Sequence, residues 1–304
     1  MGAPSSTTGV GDAGHWRRRA FRLAIACLAP LAAAPAQVRL VQSHRASEPE
    51  GRLLAFYSAA MVFSPLGASA GLTRWWVGLE ATYLPALSET QRRPGIDKPE
   101  TSNLSPVLPR PRVMIRTPAG VIEGSWVPPV RVVDARAHLL ALAYTPGTVE
   151  WRGIAFAPRV SGVAGRVQGA ITCNRQTAAS GGQDLAVYYA TVCHGRESDD
   201  WFEPRLAALE VVASRRLGPV GGMTYLAAGA RMDRSRFDIG VMQDDGSRDP
   251  DHPILQLRDA RPHVAAGLRW PLGARLATAA EWFYAPGSVS TIRTSLVFGA
   301  RTRR

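Results

Sequence analysis

Residues 263–284 read HVAAGLRWPLGARLATAAEWFY, and their alternation decides the fold. Val264, Ala266, Leu268, Trp270 and Leu272 alternate with His263, Ala265, Gly267 and Arg269. After the turn residues Pro271-Leu272-Gly273, the set Ala274, Leu276, Thr278, Ala280, Trp282 and Tyr284 occupies one parity, with Arg275 and Glu281 on the other. A helix would scatter both sets around its circumference, whereas a strand puts them on opposite faces. The stretch therefore predicts two strands and a tight turn, each strand having one apolar face and one face that carries charge.

The same period extends in both directions. Beyond the turn at Ala285-Pro286-Gly287, Ile292, Thr294, Leu296 and Phe298 alternate with Arg293, Ser295 and Val297. Leu226, Ala228, Ala230 and Met232 alternate with Tyr225, Gly229, Arg231 and Asp233. Near the start, Trp75, Val77, Leu79, Ala81 and Tyr83 alternate with Arg74, Gly78, Glu80 and Thr82. Between Val133 and Thr145 the odd positions are Val133, Ala135, Ala137, Leu139, Ala141 and Ala143, and the even ones begin Asp134, Arg136, His138. Residues 53–63 fit a first strand or a short helix, and Glu203-Pro204 with Leu206, Leu209, Val212 and Ala213 also satisfies a helical period; both segments are read as strands, the second through Ala207, Leu209, Val211 and Ala213. The expectation is an all-β chain, a single antiparallel barrel of about ten strands within a range of eight to twelve.

Alternation alone does not choose between water and lipid, because a membrane barrel simply inverts the two faces. Strands of nine to eleven residues, tilted, cross a hydrocarbon layer. Three features favour the membrane. Aromatics stand near strand ends at Trp75, Trp76, Tyr83, Trp270, Trp282 and Tyr284, as an interfacial girdle requires. Short connections near 146–147, 218–219 and 273 contrast with long polar ones near 88–110, 174–184 and 242–259. Finally, the amino terminus reads as an export signal. Arg17, Arg18, Arg19 and Arg22 precede an apolar run from Leu23 to Ala34, which ends in the small-x-small site Ala34-Pro35-Ala36. The expected organisation is a signal peptide at 1–36, an N-terminal segment at 37–70 and a barrel at 71–304.

Removal of residues 1–36 takes Cys27 and leaves Cys173 and Cys193, which in an exported chain are expected to form one disulfide. The net charge of +12 is carried almost wholly by arginine, Lys98 being the single lysine. These arginines are spread along the chain rather than gathered with aromatics on one face, so nucleic-acid binding is not expected.

At this point the chain resembles bacterial outer-membrane proteins with a β-barrel domain, uncharacterised small barrels among them. The resemblance is carried by Val77-Gly78-Leu79-Glu80-Ala81-Thr82-Tyr83-Leu84-Pro85, by the strand-turn-strand unit at 262–285, and by a closing strand with Ile292, Leu296 and Phe298. It covers most of the chain after residue 36 as a pattern, without a single diagnostic motif. It implies a place in the outer membrane of a Gram-negative-type bacterium, contact with outer-membrane lipid and lipopolysaccharide, and handling by the barrel assembly machinery. The tail after Phe298, Gly299 to Arg304, departs from the usual aromatic ending.

The chemistry-bearing candidates are few. The lumen set expected from parity is Arg74, Glu80, Arg136, Arg231, Asp233, Arg269, Arg275, Glu281 and Arg293, cations and carboxylates that would satisfy each other inside a narrow barrel. No metal or cofactor is expected. The oxygen-rich loop Asp244 to Asp251 lacks the ligand order of a calcium loop. His263 is the nearest candidate for a lipid-hydrolysing residue, but its parity directs it into the lumen. The expected function is thus non-enzymatic: a structural or surface-interaction role, or a narrow pore in which surplus arginine prefers anions. The alternatives are a lipid-modifying barrel enzyme and a soluble periplasmic lipocalin-like binder, the latter with its apolar faces turned inward.

Overall fold

The computed structural model describes residues 40–66, 73–92, 106–132, 135–180, 182–218 and 221–301. The expected signal peptide and the boundary at residue 70 lie outside the described residues. Ten long strands form the wall: β2 (Thr73–Tyr83), β3 (Val107–Thr117), β4 (Gly120–Val132), β5 (Ala135–Thr145), β7 (Ile154–Gly169), β9 (Arg205–Leu217), β10 (Gly222–Asp233), β13 (Asp259–Pro271), β14 (Leu276–Ala285) and β15 (Val289–Arg301). Each pairs antiparallel with the next, and β15 returns to β2 in the register Ser295↔Glu80 and Leu296↔Leu79, which closes the barrel. Closure is what allows a sheet to sit in lipid, since an open edge would strand backbone N–H and C=O groups there.

The connections at one end are short, at 118–119, 218–221 and 272–275, while the long ones, 84–106, 170–204 and 234–258, join strand ends at the other. Four short strands continue the wall past its long-loop end: β1 (Val41–His44), β12 (Ile254–Leu257), β11 (Arg236–Asp238) and β8 (Asp200–Glu203), joined in that order and attached to β7. A fifth, β6 (Val149–Trp151), extends β7 at the short-turn end. The helices are α1 (Pro49–Ala60), α2 (Glu89–Arg92), α3 (Arg175–Ser180) and α4 (Gln183–Thr191). Among the described residues no helix is long and apolar enough to cross a membrane. Cys173 and Cys193 are bridged, which ties α3 and α4 into the 170–204 loop.

The strand expected at 53–63 is instead α1 and its exit. Pro49 stands in the first helical turn, where a missing N–H costs nothing, followed by Glu50 beside the free N–H groups of the helix start. Leu53, Leu54, Ala55, Phe56, Ser58 and Ala59 are all buried. All but Ser58 join one apolar core with inward-facing Leu139, Tyr225, Ala265 and Phe283. A helix enclosed by a barrel is covered nearly all round, so its sequence shows no clean period of either kind.

A second correction concerns β5. Its odd residues Ala135, Leu139, Ala141 and Ala143 are buried, whereas Leu140, Leu142 and Tyr144 are exposed. The face with small side chains lies inside, beneath α1, where room is scarce. Arg136 and His138 therefore lie on the outer face and not in the lumen.

Candidate functional site

The inner faces of nine strands converge on one polar cluster at mid-barrel. Arg112 on β3 donates to Glu80 on β2 and to Glu123 on β4, both at 2.8 Å. Arg159 on β7 continues the chain, reaching Glu123 at 3.2 Å and forming a short contact with Glu210 on β9. Glu210 in turn lies 3.2 Å from His263 Nε2 on β13. On the far wall Arg293 of β15 faces Glu281 of β14 at 3.6 Å, and Tyr225 of β10 donates its hydroxyl to Glu281 at 2.7 Å. Every charged group named here is nine-tenths or more buried. Alternating sign is what makes this tolerable, because a buried ion is stable only when paired and hydrogen-bonded.

The N-terminal stretch completes the cluster. It begins with β1 beside β12 at the long-loop end, descends as α1, and delivers residues 61–64 among the arginines. Ser58 Oγ donates to Ser235 Oγ at 2.7 Å on the way. Arg110 donates to Met61 O at 3.0 Å, Arg159 to Phe63 O at 2.8 Å and Arg112 to Ser64 O at 2.9 Å. Arg293 reaches Ala60 O at 3.3 Å. The last carbonyls of a helix lack intrahelical donors and carry its negative end, so cations satisfy both needs at once. Phe63 sits inside the cage, with the guanidinium carbons of Arg112, Arg159 and Arg110 at 4.2, 5.4 and 5.7 Å from its ring centre. Beyond this plug, at the short-turn end, a cavity of about 540 Å³ is rimmed by Arg116, Arg215, Arg216 and Glu150.

Of the expected lumen set, Glu80, Arg231, Asp233, Arg269, Glu281 and Arg293 are buried inside the barrel. Arg231 and Asp233 form a separate pair at 3.1 Å nearer the long loops. Arg74 is exposed at the start of β2, and Arg275 is exposed in the turn before β14. Arg136 lies outside, its Nε donating to Pro129 O at 3.0 Å. Trp76, expected in the girdle, is buried with Met114, Val121, Ala277 and Val297, since its parity is that of Glu80. Trp75, Tyr83, Trp270, Trp282 and Tyr284 stand on the outer face, as do Ile292, Leu296 and Phe298 of the closing strand.

Arg110, Arg112, Glu123, Arg159 and Glu210 were missed as lumen residues. Their signal was present in part: Arg110, Arg112 and Met114 share one parity of β3 against Val113 and Ile115. Pro109 and Pro111 mask it, because proline in a strand interior argues against a strand. His263 stacks on Phe283 at 5.6 Å, and its Nε2 faces the Glu210 carboxylate instead of a nucleophilic hydroxyl. In the 242–252 loop, Asp245 and Asp249 accept from the backbone N–H groups of Ser247 and Asp251, at 2.7 and 3.0 Å. The Asp251 contact holds the Asp249 carboxyl below its ordinary range. Among the described residues no group of three or more His, Cys, Asp or Glu is placed to hold a metal.

The outer wall decides the setting. Leu79, Leu209 and Leu296 are 55, 66 and 52 % exposed there, while Glu80, Asp233 and Arg293 are fully buried within. That is a water-soluble barrel turned inside out, with far more contiguous apolar surface than a protein in water exposes. This is a membrane-spanning β-barrel. The soluble lipocalin-like alternative is overturned, since its apolar faces would turn inward.

No protein-family model matches the chain, and no curated protein does. Solved barrels are similar to it in architecture. The attachment invasion locus protein Ail of Yersinia pestis, in complex with the heparin analogue sucrose octasulfate, is 10% identical over 75% of this chain and 95% of its own, with a TM-score of 0.30. A loop-deletion mutant of OmpT, an outer-membrane protein of Vibrio cholerae, is 8% identical over 65% of each chain, with a TM-score of 0.21. The Pseudomonas putida toluene transporter TodX is 10% identical over 84% of this chain and 71% of its own, with a TM-score of 0.26.

Proposed function

We propose that this chain is a plugged, non-enzymatic outer-membrane barrel that does not conduct in its resting state, and that its role is structural or exercised by its long loops at the surface. The observation behind this reading is the seating of residues 60–64 across the lumen, held by Arg110, Arg112, Arg159 and Arg293. A chain bound through its own carbonyls to the charged wall would close the water path at that level. The loops at the opposite end from the short turns are built to keep a shape, with the disulfide, α3 and α4 in one and the β1-β12-β11-β8 ribbon beside it. Outer-membrane lipid and lipopolysaccharide would surround this end, and the barrel assembly machinery would insert the chain.

The pore reading survives as a second state. Were residues 60–64 to leave, the exposed wall would present Arg110, Arg112, Arg159 and Arg293 with fewer partners, and the passage would favour anions. Planar-bilayer recording of the full-length protein tests both. A silent baseline is expected, and a steady open conductance from the intact protein would end the plugged reading.

A further inference from the structure

The barrel wall is incomplete at one place. The β3–β4 register runs from Thr117↔Gly120 to Arg112↔Ser125 and stops, although both strands continue toward the long loops. Over the same stretch β3 remains registered with β2, through Pro111↔Leu79 to Val107↔Tyr83. On its other side β4 stays with β5, through Val130↔Ala137 and Arg131↔Arg136. Between them lies a seam. Four prolines occupy it, Pro109 and Pro111 on β3 and Pro128 and Pro129 on β4. An open seam in lipid normally strands N–H donors, and proline has none, so these positions leave the opening with fewer donors unsatisfied.

An apolar cavity of about 70 Å³ fills the gap. Its walls include Val107 and Pro109, which share the outer face with Tyr83 and Ala81, and also Leu108, Val127 and Phe202, which are buried inside. Val130 shares the side of inward Ala137 and is nevertheless 53 % exposed. The cavity therefore passes through the wall. Its height is set by its neighbours: Val107 is level with the girdle residue Tyr83, and Arg112 with mid-barrel. The opening thus runs from the interfacial girdle toward mid-barrel, on a wall that faces lipid. At the rim, exposed Arg131 and Arg136 stand directly opposite each other on β4 and β5, and Arg136 is anchored to the seam by its bond to Pro129 O. Like charges in that position repel, and an anion between them removes the repulsion.

We propose that this seam is a lipid site: one acyl chain of a phosphate-bearing membrane lipid enters between β3 and β4, and its phosphate bridges Arg131 and Arg136. Tyr57, Ala60 and Met61 form part of the cavity's lining, so the site rests on the N-terminal segment being seated as proposed above.

Photocrosslinking tests it in the full-length protein. Benzoylphenylalanine replaces Phe202, which faces the cavity from inside, and separately Phe283, a buried inner residue outside the cavity lining, and Leu296, on the outer wall. Vesicles contain equal parts phosphatidylglycerol and phosphatidylcholine, and adducts are weighed by mass spectrometry. The expected result is a phosphatidylglycerol adduct at position 202, none at 283, and adducts with both lipids at 296. Val127→Trp, which fills the cavity, should lower the adduct at 202 about tenfold while leaving that at 296, which also shows that the barrel has folded. Replacing both arginines, R131Q with R136Q, should abolish the preference for phosphatidylglycerol. No lipid adduct at 202 beside a normal yield at 296, equal adducts at 202 and 283, or an unchanged headgroup preference in the double variant would each overturn the proposal.

Discussion

The guanidinium of Arg112 lies 4.2 Å from the ring centre of Phe63 while its nitrogens bind Glu80 and Glu123 on the two flanking strands. One side chain thus ties three strands of the wall to the segment that fills the lumen. It does so in a buried interior, where charge–charge and cation–ring attractions are weakened less by solvent than at the surface.

Removing that link should be severe. Arg112→Ala leaves Glu80 and Glu123 with a buried partner missing, and breaking a buried pair from one side costs about 3–5 kcal/mol. Urea titration of the refolded barrel in micelles measures the loss. A change below about 1 kcal/mol, the scale of an exposed pair, would contradict the network as described.

Phe63→Ala acts on the plug more than on the wall. It deletes a buried ring, typically worth about 3–5 kcal/mol, and a cation–ring contact of about 2 kcal/mol within that loss. Intermittent channel openings are expected in planar bilayers, with a reversal potential under a chloride gradient that reports anion preference. A variant as silent as the parent would show that the segment holds its place without Phe63.

The disulfide should matter locally. Closing a twenty-residue separation is worth roughly 3 kcal/mol by the chain-entropy argument. In C173S with C193S, protease cleavage between residues 170 and 200 should accelerate, while the mobility shift between unheated and boiled samples stays unchanged. Loss of that shift would mean that the loop is needed to close the barrel.

Gly267 leaves room for a ring. It is registered with Tyr225, whose ring lies where a side chain at 267 would go, and that path takes the Tyr225 hydroxyl to Glu281. Gly267→Val should displace the ring and leave a buried carboxylate short of one donor, costing about 1–3 kcal/mol. Tyr225→Phe should lose a comparable amount, and the two changes together should cost little more than either alone. Additive losses would show that they act separately.

Much of the wall was legible because a membrane barrel writes its geometry into parity. Side chains at i and i+2 share a face, and lipid on one side with a polar lumen on the other forces the two sets apart. That is why Leu79 against Glu80, Leu296 against Arg293, and Trp282 against Glu281 could be assigned to outside and inside from their order alone. Where both faces are apolar the rule has nothing to separate. On β5 the inner face was chosen by size, Ala141 and Ala143 fitting where Leu140 and Leu142 would not, and Arg136 went outside with the leucines.

The sequence by itself determined the period of two, the turns, the aromatic strand ends and the two cysteines, each a property of residues close together in the chain. Only the tertiary structure decided that residues 49–60 form a helix, that residues 61–64 meet Arg110, Arg112, Arg159 and Arg293, and that β3 and β4 part at Arg112. Those outcomes depend on enclosure. A segment surrounded on all sides carries no periodic mark of its surroundings, and the registry of two strands is set by the whole closed ring, not by either strand alone.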